Sequence, residues 1–351
     1  MAPELAARIA GQFADTAAGY LDTASIGLPP RVAVEELAAA LPRWQRGELP
    51  PPAFDPYADR CRDAFARLAG VPLADVALAS VVSTSAALVA GALPAGARIV
   101  LQDAEFTSVL APFLAARERG VRVDVVPFAE LPAAVVPGVD LVAFSAVRSQ
   151  DGLVADLDAI ATAAEHAGAA TFVDATHGLG WLPIDVARFD YVAVAAYKWL
   201  LCPKGVAFLV VSPRRRAALP AAQSGWYSLG DDRWTSLYGE PLHLAPDARR
   251  FDLTPAWLAY VGGAAALELL ADLGSAAIGA HDVALANRFR AGLGLAPSDS
   301  AIVAVEHPEA AERFAAAGIR AAGRDGHVRA AFHLYTTTAD ADRALAALAT
   351  G

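Results

Sequence analysis

Short apolar runs alternate along the chain with alanine-rich stretches of helical length. Arg98-Ile99-Val100-Leu101, Val121 to Val126, Leu141-Val142-Ala143-Phe144, Thr171-Phe172-Val173, Tyr191 to Ala195 and Gly205 to Val211 read as strands. Most are apolar throughout, without the in–out alternation of a half-exposed sheet. That pattern predicts an α/β fold with a mostly parallel central sheet covered by helices on both faces. Helices are expected over 31–48 and 56–70, separated by Leu49-Pro50-Pro51-Pro52, and again near 107–119 and 156–167. Gly168 stands where a left-handed C-cap would end the last of these. Beyond about residue 240 the texture changes. Helical runs near 255–273 and 278–293 precede strands at 301–305 and 327–333 and a final helix over 339–349. The chain therefore divides into a large α/β domain, 15–240, and a small α+β domain made of 1–14 with 241–351.

Composition narrows the function classes. With 351 residues, 56% hydrophobic and 19% charged, the chain can bury a large core. A net charge of -10 argues against nucleic-acid and anionic-membrane partners. The richest apolar stretch, Ala79 to Ala97, is broken by Ser80, Ser83, Thr84, Ser85 and Pro94, so no membrane span is expected. The start carries Glu4 and neither a basic n-region nor an apolar h-region, so no signal peptide is expected. Cys61 and Cys202 are too few for a disulfide framework, which makes a reducing cytoplasm the default location. No Cys/His group has zinc spacing, so no metal is expected. One number stands out. Of 28 basic residues only Lys198 and Lys204 are lysines. Chemistry that needs a primary amine has two side chains to choose from.

In a sheet of this kind ligands sit beyond the carboxyl ends of the strands. Val173-Asp174-Ala175-Thr176-His177 puts an acid just after one buried strand and a histidine three residues on. Tyr191 to Tyr197 ends another strand at Lys198. Ser83-Thr84-Ser85 opens the helical run Ala86 to Ala92, offering hydroxyls and free N–H groups to a phosphate, with no nucleotide-type glycine pattern beside it. An amine, a strand-end carboxylate and a phosphate cradle together fit pyridoxal 5'-phosphate (PLP).

These residues carry a family resemblance. Phe172-Val173-Asp174-Ala175-Thr176-His177, Pro183-Ile184-Asp185, Asp190, and Tyr197-Lys198-Trp199-Leu200 with Pro203-Lys204-Gly205 resemble the core of class V aminotransferases. That group of fold-type-I PLP enzymes includes cysteine desulfurases, isopenicillin N epimerase-like proteins and C–S lyases. The resemblance implies that Lys198 forms the Schiff base, that Asp174 meets the pyridine nitrogen and His177 the ring hydroxyl, and that Phe106, in Glu105-Phe106-Thr107-Ser108-Val109, stacks on the ring. It implies that Thr84, Ser85 and Tyr197 hold the phosphate. Thr254, in Arg250-Phe251-Asp252-Leu253-Thr254-Pro255, would join them from the second subunit of a homodimer. Arg329, in Val328-Arg329-Ala330-Ala331-Phe332-His333, would clamp the substrate carboxylate. Ser25, in Tyr20-Leu21-Asp22-Thr23-Ala24-Ser25, would lie on the substrate side.

The departures matter as much. The loop before the arginine strand, Gly318 to His327, is short and has no cysteine, which disfavours the persulfide chemistry of desulfurases. Many relatives carry asparagine before the acid. Here Ser145-Ala146-Val147-Arg148-Ser149-Gln150 has none, and Arg148 or Gln150 is the candidate for that pocket. Ala195 stands where a phosphate-binding serine is frequent. Lys204, in the turn after the site, is expected to have only a surface role, and the aromatic pair Trp226-Tyr227 to line either the site's mouth or a dimer contact. The expectation is a PLP enzyme acting at Cα and Cβ of an amino acid, with β-elimination of a cysteine-derived C–S bond preferred. Transamination and epimerisation are the alternatives, and a non-catalytic PLP-binding sensor is a distant one.

Overall fold

The computed structural model describes residues 2–14, 17–324 and 327–349. Seven strands form the main sheet: β1 (Val76–Ala79), β2 (Arg98–Gln102), β3 (Arg122–Val126), β4 (Leu141–Ser145), β5 (Ala170–Asp174), β6 (Tyr191–Ala195) and β7 (Ala207–Val211). Their spatial order is β1-β7-β6-β5-β4-β2-β3. Pairing is parallel from β6 through β3, while β7 runs antiparallel to both its neighbours. The reversal has a local cause. Parallel neighbours need a long crossover, usually a helix, and residues 196–206 hold only the tight turn around Lys198. Two reversals leave β1 parallel to β6, so its carboxyl end lies at the same edge as those of β2, β4, β5 and β6.

β4, β5, β6 and β7 are buried at every position, as their unbroken apolar runs predict. The helix Leu157–Ala167 covers the sheet. Asp156 caps its start by accepting the Ala159 N–H at 3.0 Å, and Gly168, at φ 70°, ends it in the left-handed conformation expected there. A second layer is built from the helices Arg31–Gln45, Asp55–Ala69 and Trp257–Leu273, which pack on one another. The last of these lies beyond the expected 240/241 division yet rests on the large sheet's helices. A smaller antiparallel sheet follows: β8 (Ile302–Val305), β9 (Ala322–Arg324) and β10 (His327–Ala331), in the order β8-β10-β9. The N-terminal segment joins it, through bridges Tyr20–Arg320 and Asp22–Ala331. Among the described residues no single helix is long and apolar enough to cross a membrane.

Candidate active site

The carboxyl ends of β5 and β6 bring the two strongest sequence candidates into one cleft of about 250 Å3. Asp174 ends β5 and is buried. Burial pushes its carboxyl up, against the Thr176 hydroxyl, the Thr176 N–H at 2.9 Å and the charge of Lys198. Lys198 sits three residues past β6 and is 5% exposed, so its amine faces the cleft and not bulk water. Its Nζ lies 3.0 Å from His177 Nε2, which is also 3.1 Å from the Ala24 carbonyl. Thr176 ties the two strand ends together, its Oγ1 accepting the Ala195 N–H at 3.0 Å.

The turn that carries Lys198 is tightly built. Leu201 adopts φ 55°, a costly conformation for a branched side chain, and its N–H reaches the Lys198 carbonyl at 3.2 Å. Gly27 packs underneath, donating to the Tyr197 carbonyl at 2.9 Å. A Cβ there would stand 2.1 Å from the Lys198 carbonyl oxygen, so only glycine allows this approach.

Phe106 stands over the lysine with its ring centroid 5.5 Å from Nζ, and it is 43% exposed. An aromatic face left open beside an amine and a buried carboxylate is what a planar heteroaromatic ligand requires. Tyr197 lies 5.6 Å from Nζ on another side. The helix Val82–Ala92 begins at the cleft, and the N–H groups of its first turn have no acceptor within the helix. Of the hydroxyls at this helix start, one faces the cleft. Ser83 lines the cleft; Thr84 and Ser85 do not. Each helical residue turns by roughly 100°, so Thr84 Oγ1 folds back to the Val81 carbonyl at 2.8 Å and Ser85 is buried beneath. Ser108 also lines the cleft, from the first turn of the helix Thr107–Ala115. Thr254 does not line this chain's cleft. Lys204, expected on the surface, does line it, 5.9 Å from the Tyr197 ring.

On the small-sheet side Arg329 is 1% exposed on β10 and meets Ser25, with Nη2 3.3 Å from Ser25 Oγ. It also donates to Ser149, at both the carbonyl and Oγ. Arg148 is turned elsewhere. Its guanidinium pairs with Asp151 and lies 5.0 Å from the Phe128 ring centroid, so the structure does not bring it to the cleft. Trp226 and Tyr227 also stand apart. Tyr227 donates to Asp55 at 2.8 Å and Trp226 packs on Trp234, which ties their loop to the helix Asp55–Ala69. Glu105 escaped the sequence reading. It is buried behind Phe106 and accepts hydrogen bonds from Ser145 at the end of β4.

The geometry fits PLP. An amine, an open aromatic face, a buried carboxylate in need of a cationic or N–H partner, and a cluster of hydroxyls at a helix start converge on one cleft. Comparison with known proteins agrees. The family model described as aminotransferase class V matches residues 56–317. An uncharacterised aminotransferase of Bacillus subtilis is 37% identical over 138 residues, which make up 38% of this chain and 35% of that protein. Isopenicillin N epimerase of Streptomyces clavuligerus is 33% identical over 142 residues, 36% of either chain. These alignments span about a third of the relatives' length. Solved structures share the fold across nearly the whole chain. A cystine C–S lyase in complex with cysteine persulfide superimposes with TM-score 0.82 at 24% identity, covering 95% of this chain and 97% of the other. A variant of that lyase with glycine linked to its PLP cofactor also gives 0.82 at 24%, covering 95% and 96%. An Escherichia coli cysteine desulfurase gives 0.79 at 24%, covering 97% and 96%. The chain belongs to the class V aminotransferase family of PLP-dependent enzymes.

Proposed function

We propose that this protein cleaves the C–S bond of a cysteine-derived amino acid by β-elimination, working as a cytoplasmic homodimer with PLP as its cofactor. The observation that carries the subtype is the position of the two cysteines. Cys61 is fully buried and Cys202 is 3% exposed, both are free thiols, and neither lines the cleft. Burial pushes both thiols up, away from the thiolate that sulfur capture requires. With no enzyme thiol to take the sulfur, it departs as the leaving group.

When bound, PLP supplies an electron sink that makes the substrate's Cα proton acidic. The chain supplies the rest. Asp174 would pair with the ring nitrogen, and the open face of Phe106 would pack against the ring. Arg329, beside Ser25 and Ser149, binds the substrate carboxylate and turns the Cα–H bond toward Lys198. The neutral Lys198 amine takes that proton, with His177 within hydrogen-bond reach to orient it. The Cβ–S bond then breaks, and sulfur leaves with the bonding pair. The apolar faces left open on this chain support a dimer: Val34, Leu41 and Trp44 along one helix, and Leu237 and Leu242 near Tyr238. In that dimer Thr254 would reach the partner's cleft.

The test supplies cystine and S-substituted cysteines to the PLP-loaded protein and measures pyruvate, ammonia and released thiol. Pyruvate is expected in equimolar amount with the released sulfur species, a thiol from S-substituted cysteines and a persulfide from cystine, with at least a 1,000-fold loss in Lys198→Ala, as for removal of a catalytic base and nucleophile. Amino transfer to a keto acid without pyruvate, or inversion at Cα with solvent-proton exchange and an intact C–S bond, would sink the elimination reading.

A further inference from the structure

Both lysines of this chain line the same cleft, each beside the Tyr197 ring, with their amines 5.6 and 5.9 Å from its centroid. The other 26 basic residues are arginines, and no arginine lines that cleft among the described residues. Lys198 is committed to covalent chemistry and proton transfer, both of which need it neutral. Lys204 is then the permanent positive charge of the site. We propose that Lys204 binds the cofactor's phosphate as its charged anchor, an inference that rests on the PLP reading above.

The charge balance at that end requires such a group. A phosphate monoester brings a charge of roughly -1.5 to -2 into a cleft that already holds the Asp174 carboxylate. Apart from the two lysines and His177, whose Nε2 meets Lys198, the lining offers only neutral donors: the Ser83, Ser108 and Thr176 hydroxyls, the Tyr197 phenol and the N–H groups that open the helix Val82–Ala92. That helix start contributes about half a unit charge. Ala195, at the end of β6, contributes no donor. Lys204 is an exposed side chain that forms no ion pair with a described carboxylate, and its stem leaves the turn just before β7. It can swing its ammonium onto a phosphate between Ser83 and Ser108. A compact ammonium on a flexible stem suits this better than a planar guanidinium, whose fork is larger and needs a fixed approach.

The experiment compares two ligands that differ only in the phosphate. Wild type, Lys204→Ala and Lys204→Arg are stripped of cofactor, and binding of PLP and of pyridoxal is followed by tryptophan quenching. Lys204→Ala should weaken PLP about 10- to 100-fold, the range for losing one charge-assisted contact to phosphate, and leave pyridoxal within about two-fold. Lys204→Arg, which keeps the charge but not the compact head, should recover only part of the lost affinity. Unchanged PLP binding in Lys204→Ala overturns the proposal, as does an equal loss for both ligands, which would mark a structural role. Wild-type protein that binds neither ligand overturns the PLP reading itself and is distinguishable from both.

Discussion

Glu105 shows how one buried acid can link the site to pH. Its carboxylate accepts three hydrogen bonds, from the Phe106 N–H at 2.6 Å, the Ser145 N–H at 2.7 Å and Ser145 Oγ at 2.6 Å. Those bonds favour the charged form, but burial outweighs them, helped by the Asp174 charge, and the group is pushed up to about 7 from 4.5. The raised value means that the folded state binds the proton more tightly than the unfolded chain. Its contribution to stability is complete below about pH 4.5 and is lost as pH rises through about 7, roughly 3 kcal/mol in all. Glu105→Gln cannot titrate. Urea unfolding should therefore show the stability difference, variant minus wild type, moving in the variant's favour between pH 5 and pH 8. A difference that stays flat with pH would refute this account. Lys198 and Asp174 could be read from the sequence because each stands alone at the end of an apolar run. Glu105 could not, since its burial depends on Ser145, a residue distant in the chain. The place of Lys204 at the cleft was hidden for a similar reason: a lysine in a turn carries no local sign that the turn folds over the cleft.

At the scale of elements, one ion pair joins three pieces of backbone. Arg62, on the helix Asp55–Ala69, reaches Asp252 through Nη2–Oδ2 at 2.6 Å and Nη1–Oδ1 at 3.0 Å, and both side chains are almost fully buried. Asp252 Oδ1 also accepts the Leu78 N–H at 2.8 Å, and Arg62 donates to the Val76 carbonyl. The pair therefore fixes the edge strand β1 and, through it, the start of the helix that opens at the cleft. Arg62→Met leaves a buried carboxylate without its cation, and chemical denaturation should register a loss of about 3–5 kcal/mol. A loss under 1 kcal/mol would mean that β1 is held by its strand pairing alone. β1 itself was hidden in the sequence. Val76–Ala79 merges into the apolar run that continues through Val82–Ala92, and hydropathy alone does not separate a four-residue strand from the helix that follows. β4, β5 and β6 were legible because turns, helix caps and polar breaks bound each of them.

Across the whole molecule, the small sheet is coupled to the lysine turn by a buried acid–imidazole pair. His333 follows β10, Asp282 lies on the helix Ser275–Gly292, and Trp199 is the residue after Lys198. His333 Nε2 lies 3.0 Å from the Trp199 carbonyl, and Nδ1 lies 3.2 Å from Asp282 Oδ2, with both partners at zero exposure. A carbonyl can only accept, so Nε2 is the donor in that contact. Burial pushes the Asp282 carboxyl up, and the His333 imidazole beside it opposes the rise. Trp199 Nε1 returns a bond to the Phe332 carbonyl at 3.3 Å, closing the link between the Lys198 turn and the strand end beyond Arg329. The turn that carries Lys198 and the strand that carries Arg329 are thereby tied together through Trp199, Phe332 and His333. Asp282→Asn and His333→Gln should each cost about 3–5 kcal/mol by leaving a buried group unpaired. The double variant should fall short of the sum by about 1–3 kcal/mol, the coupling expected of residues in one network. Because the pair acts on the Trp199 peptide, the same variants should also lower PLP affinity, which a purely structural loss in the small sheet would not. Additive stabilities with unchanged PLP binding would mean that the two sheets are joined by apolar packing alone and that the lysine turn holds itself in place.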